Sequence, residues 1–77
     1  MHPILTRHAR ERMSERGVSE ADVRFAISNP DLTRPATPSG TVYERKSSDG
    51  TTICVAVVPR GNDSNRLVVK SVWKKEG

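Results

Sequence analysis

The chain has one cysteine, two histidines, and one residue each of phenylalanine, tryptophan and tyrosine. A single thiol excludes an intrachain disulfide, and one cysteine with two histidines falls short of the usual four-ligand structural zinc set. Cys54 lies inside an apolar run and reads as a small buried residue. Hydrophobic residues make up only 34% of the sequence, so Val, Ile, Leu and Met must build most of the core. No stretch approaches the roughly 20 apolar residues of a membrane span, and the N-terminus lacks the apolar run of a secretory signal. No membrane partner is expected, and the cytoplasm is the expected location. With 77 residues the chain is one domain, 1–77, too small to enclose a deep substrate cavity.

What is present is charge. Thirteen Lys and Arg oppose nine Asp and Glu, for a net charge of +4, which draws nucleic acid ahead of small acids. No metal-ligand cluster or cofactor motif accompanies it.

Two helices open the chain. Thr6 suits an N-cap, Leu5, Ala9 and Met13 recur every four residues, and Gly17 suits the left-handed position past a helix end. A helix is therefore predicted over about 7–16. Ser19 caps a second, about 20–28, with Asp22 in a capping-box position and Asn29-Pro30 as its stop. Pro30, Pro35, Pro38 and Gly40 then mark a connector, 29–40, expected to lack regular structure.

The remainder reads as strands over about 41–47, 51–58 and 66–73. Asp49-Gly50 suits a two-residue type I′ turn. That turn would place Val42, Ile53, Val55 and Val57 on one face, with Tyr43, Arg45, Cys54 and Ala56 on the other. Alternation on the last strand assigns Leu67, Val69 and Trp73 to the core and Arg66, Lys70 and Lys74 to the opposite side. Tyr43, Arg45 and Lys70 would then share a basic outer face. The expected fold is α+β, two N-terminal helices packed on an antiparallel sheet of three strands, or of four.

The stretch Thr6–Gly17, "TRHARERMSERG", holds the densest charge. A projection at about 100° per residue puts Leu5, Ala9 and Met13 in a narrow apolar stripe. Arg7, Arg10, Glu11 and Glu15 fall on the far, solvated side, where ion pairs contribute little. Arg16 falls within the stripe, and Arg12 and His8 lie along its edge. A guanidinium there needs a carboxylate, carbonyls or an anionic ligand to offset desolvation. For Arg16 the helix C-terminus can serve, and for Arg12 an ion pair with Asp22 or Asp31. His8, in the first turn among arginines, is disfavoured as the imidazolium, and a neutral ring can act as a general base. Phe25 projects away from the apolar face of Val23, Ala26 and Ile27 and could mark a protein-partner surface. Tyr43 beside Arg45 offers a stacking ring next to a cation, useful for single-stranded RNA and equally ordinary as cross-strand packing.

The order Thr6, His8, Ala9, Arg12, Met13, Arg16, Gly17, continued by "DVRFAISNP" from Asp22 to Pro30 and by a terminal "VVKSVW", resembles the bacterial domain of unknown function 4258 family. The likeness spans nearly the whole chain. That family is similar to compact ribonuclease toxins of the RelE and BrnT type, which implies a RelE-like fold and a metal-independent endoribonuclease of toxin–antitoxin type, acting on RNA free or ribosome-bound and neutralised by an antitoxin protein. Carried over, the motif positions are His8, Arg12 and Arg16, as general base, phosphate clamp and electrostatic support, with Tyr43 as a second candidate base. Arg45, Lys70, Trp73 and Lys74 would contact nucleic acid; such toxins often carry further catalytic residues past the last strand, and here Lys70, Trp73 and Lys74 are what remains to supply that region. A non-catalytic RNA- or ribosome-binding module, or a small interaction domain with a partner over Phe25, remain the alternatives.

Overall fold

The computed structural model describes residues 3–36, 40–60 and 63–76. In chain order the elements are β1 (Ile4–Leu5), α1 (Arg7–Arg16), α2 (Glu20–Ser28), β2 (Leu32–Pro35), β3 (Thr41–Lys46), β4 (Thr51–Arg60) and β5 (Asp63–Glu76). Pro38 of the connector lies outside the described residues.

Both helices are bounded by local chemistry. The Thr6 hydroxyl oxygen accepts from the Ala9 N–H at 3.1 Å and its O–H donates to the Val69 carbonyl at 2.9 Å, so one side chain caps α1 and ties it to β5. Gly17, at φ 68°, reverses the chain, and the Val18 N–H closes on the Met13 carbonyl at 2.9 Å. Ser19 and Asp22 form a reciprocal capping box at the start of α2.

The sheet has five strands in the order β1-β5-β4-β3-β2. It is mixed rather than purely antiparallel, because β1 runs parallel to β5 while every other pair is antiparallel. β1 is only two residues long, too short for any alternation to announce it. The connector expected to be irregular contains β2, an edge strand with all four residues exposed. Its Pro35 sits at the strand end opposite Thr41, a position an edge strand tolerates.

Both helices cover one face. α1 packs on β5 and α2 on β4 and β3. Between them lies a core of Ala9, Met13, Val18, Val23, Ala26, Ile27, Ile53, Val55, Val57, Val69 and Val72, joined by the partly buried Leu5, Tyr43 and Leu67.

Two backbone details reassign faces. The β3–β4 hairpin pairs Lys46 with Thr52 and closes through a Ser47 N–H to Thr51 carbonyl bond of 2.7 Å. Ser48, Asp49 and Gly50 thus form a three-residue connection, with Gly50 left-handed at φ 87°, instead of the expected two-residue turn. Asp49 stabilises it by accepting from the Thr51 N–H at 2.9 Å. This moves the register by one residue, so Tyr43 pairs with Val55 on the helix side and Val42 pairs with Ala56 on the other. In β5 the pairing steps from Ala56–Ser71 to Val57–Val69, leaving Lys70 as the extra residue of a bulge. Beyond it the alternation is inverted. Val72, not Trp73, faces the helices, and Trp73 lies across from Cys54 on the far side.

Candidate functional site

Among the described residues no helix covers the second face of the sheet, and the register gathers an unforeseen set of side chains there. Leu32 lies opposite Glu44, Glu44 opposite Cys54, and Cys54 opposite Trp73, a row crossing β2, β3, β4 and β5. Flanking rows hold Arg34 beside Val42, and Lys46, Thr52 and Lys75.

Glu44 is the centre. Its side chain is 5% exposed, with Oε2 accepting from Arg34 Nε at 2.6 Å and Oε1 from Lys75 Nζ at 2.8 Å. The two cations remain 45% and 48% exposed, so the carboxylate is nearly dry while its partners reach solvent. The Lys75 bond, then the Arg34 bond, hold the Glu44 carboxyl below its ordinary range against the opposing effect of desolvation. Burial pushes the Cys54 thiol up, and the neighbouring Glu44 charge adds to it, so Cys54 is a protonated thiol at neutral pH rather than a nucleophile. Two cations around one carboxylate leave the cluster with excess positive charge, beside the half-buried ring of Trp73. Such a surface can hold a phosphate and stack a base.

The residues singled out from sequence are spread over two faces. Trp73 alone of them pairs into the Glu44 row. His8 and Arg16 are exposed on α1, and Arg12 pairs at 2.8 Å with Glu15, one turn away, not with Asp22 or Asp31. Those two aspartates are otherwise engaged: Asp22 completes the capping box, and Asp31 accepts from the Lys46 N–H at 2.8 Å and lies 3.8 Å from Arg45. Tyr43 and Arg45, expected on an outer basic face, lie on the helix side instead. Arg45 stacks on Phe25, 4.2 Å from its centroid, and donates to the Asn29 carbonyl at 2.5 Å, pinning the end of α2 to β3. Phe25 is 49% exposed even so. Lys70 is exposed at the bulge, and Lys74 pairs with Ile53 on the helix side and reaches Asp49 at 3.2 Å. The α1 residues stand over β5 and Tyr43 on β3, with β4 between, about 10 Å apart by strand spacing alone.

Arg34, Glu44 and Lys75 were missed because each looks ordinary in sequence. The one available signal was a glutamate in the middle of a β-rich run, where a charge inside a strand demands partners.

Shallow hollows among the described residues lie elsewhere, one of about 180 Å³ between Leu5, Arg10, Glu20 and Val23, and another of about 220 Å³ beside Phe25 and Arg45. Among the described residues no group of three or more His, Cys, Asp or Glu side chains is placed to share a metal ion. No described helix is long and apolar enough to cross a membrane.

Residues 5–74 match the family model described as Domain of unknown function (DUF4258). The chain belongs to this family. No curated protein and no solved structure matches the chain. The DUF4258 match encloses Arg34, Glu44, Cys54 and Trp73, together with the motif residues of α1, while Lys75 lies one residue beyond it.

Proposed function

We propose that this DUF4258 domain binds single-stranded RNA across the helix-free face of its sheet and cuts it there, as a metal-independent, toxin-like endoribonuclease of RelE-like type. The observation that carries the reading is the buried Glu44 carboxylate held between two half-exposed cations on the same face as Trp73. Trp73 stacks a base, Arg34 and Lys75 hold the adjoining phosphate, and Glu44 accepts the proton of the 2′-hydroxyl. The freed oxygen attacks the neighbouring phosphorus as its bond to the 5′-oxygen breaks, and the 5′-oxygen takes a proton from water while Glu44 returns its own to solvent, giving a 2′,3′-cyclic phosphate and a 5′-hydroxyl. An antitoxin-like protein that covers this face belongs to the same reading.

A non-catalytic RNA-binding module, free or ribosome-associated, is the second reading. It is favoured by the lowered pKa of Glu44, which makes the carboxylate a weak base while its cations hold it.

Incubating wild-type protein with single-stranded RNA in chelator and analysing the ends decides between them. Cyclic-phosphate ends, lost in Glu44→Gln and kept in His8→Ala, support cleavage on this face. The same ends lost in His8→Ala and kept in Glu44→Gln move the chemistry to α1. Intact RNA, bound with strong salt dependence, selects the module. No association at low salt overturns both.

A further inference from the structure

Glu44 occupies the place a phosphate would take. Its two carboxylate oxygens each accept from a different cation, Arg34 Nε at 2.6 Å and Lys75 Nζ at 2.8 Å. A phosphodiester offers two charged oxygens in a comparable fork, and guanidinium pairs with either group in the same way. The stems differ in mobility. Glu44 is buried at mid-strand between β2 and β4, whereas Arg34 is on an exposed edge strand and Lys75 is near the end of β5. The cations can swing outward to meet an anion, and the carboxylate cannot follow them.

We infer that Arg34 and Lys75 form a phosphate-binding site that Glu44 fills in the free protein, an internal anion that a phosphate of the ligand displaces. Geometry supports exchange over simple addition, and charge permits it: two cations satisfied by one buried carboxylate retain a single excess positive charge, which an arriving diester monoanion offsets. As the cations move, Glu44 loses the two bonds that hold its pKa down and becomes a better proton acceptor beside the bound phosphate. Glu44 thus guards the site when empty and is released by its occupant. The inference deepens the RNA reading of this face and rests on it only for the identity of the ligand.

The experiment measures binding of three probes, a single-stranded RNA oligomer, its DNA counterpart and inorganic phosphate, to wild type, Glu44→Gln and the double variant Arg34→Gln/Lys75→Gln. Removing the internal anion is expected to tighten binding about tenfold, since a charge-assisted hydrogen bond no longer has to be exchanged. The double variant, without either cation, is expected to bind all three probes more weakly than wild type, and wild-type affinity in a folded double variant overturns the site. Equal or weaker binding by a folded Glu44→Gln overturns the inference while leaving the RNA reading intact. Tighter binding of phosphate alone, with neither oligomer bound, supports the inference and removes the RNA reading, and preference for RNA over DNA supports both. Should Glu44→Gln unfold, wild type decides: calorimetry near pH 5 in two buffers of different ionisation enthalpy must show proton uptake on binding, and binding with no proton uptake overturns the displacement.

Discussion

Glu44 and Cys54 stand directly opposite each other across β3 and β4, a carboxylate and a thiol on the face of the sheet that carries no helix. Arg34 and Lys75 neutralise the first, and burial keeps the second protonated. The Cys54 side chain is fully buried, so its labelling reports the opening of this row. In native protein at pH 8 a thiol-specific reagent should react with Cys54 at the rate of unfolding, many times slower than in urea. Rapid labelling of folded protein would show that the row opens without unfolding.

The Glu44 cluster also sets an acid limit. The folded carboxyl titrates below its unfolded value of 4.5, so its contribution is complete above that pH and is lost as pH falls through the lower, folded value. Glu44→Gln is expected to lose about 1–2 kcal/mol at pH 7, since its former partners stay half-solvated. The difference from wild type should shrink steadily below pH 4.5. Urea titrations at several pH values check this, and a constant difference down to pH 3 would contradict it.

Gly40 and Gly50 resist a side chain for different reasons. Gly40 has φ 105°, and a Cβ there would meet the Val57 carbonyl oxygen and lie 2.8 Å from Val58 Cγ1. Gly50 has φ 87° but nothing within 4 Å. Gly50→Ala should therefore cost about 1 kcal/mol, from backbone strain alone, and Gly40→Ala about 3 kcal/mol or more, because backbone must shift as well. Thermal melts of the two variants would rank them, and equal losses would refute the steric argument.

Trp73 and Tyr43 separate binding from folding. Trp73→Ala is expected to weaken single-stranded RNA binding by about 1–3 kcal/mol, the usual loss of one stacking platform. Tyr43→Ala, on the helix side against the core, should instead cost stability of about 2–3 kcal/mol and leave the affinity of the folded fraction unchanged. Binding isotherms paired with melts distinguish the two, and the opposite pattern would place the RNA on the helix side.

His8 offers a contrasting case. It is exposed on α1, so His8→Ala should change stability by less than about 0.5 kcal/mol. With the fold unaffected, its effect on growth arrest upon expression reads directly whether α1 takes part in the activity. Arrest equal to wild type keeps the chemistry on the Glu44 face.

The features legible in the amino-acid order are local ones. Thr6, Ser19 with Asp22, and Gly17 announce where two helices begin and turn, because a cap is a contact between residues three or four apart. The apolar run Ile53–Val58 announces a buried strand, whereas the core-edge place that a projection gives His8 and Arg16 is not kept in the fold, where both are exposed. The motif residues that resemble the DUF4258 family are equally visible, and the chain belongs to that family. Which residues share a face is set by the folded sheet. A strand alternates with period two, so one extra residue between Ser47 and Thr51 moved Tyr43 and Arg45 to the helices and Val42 and Glu44 to the open side. One extra residue at Lys70 exchanged Trp73 for Val72 in the same way. Arg34, Glu44 and Lys75 are distant in sequence and meet only because β2, β3, β4 and β5 lie side by side in that register. Hydrogen bonds across the sheet set the register, and their partners are named by the folded chain, not by the neighbours of any one residue.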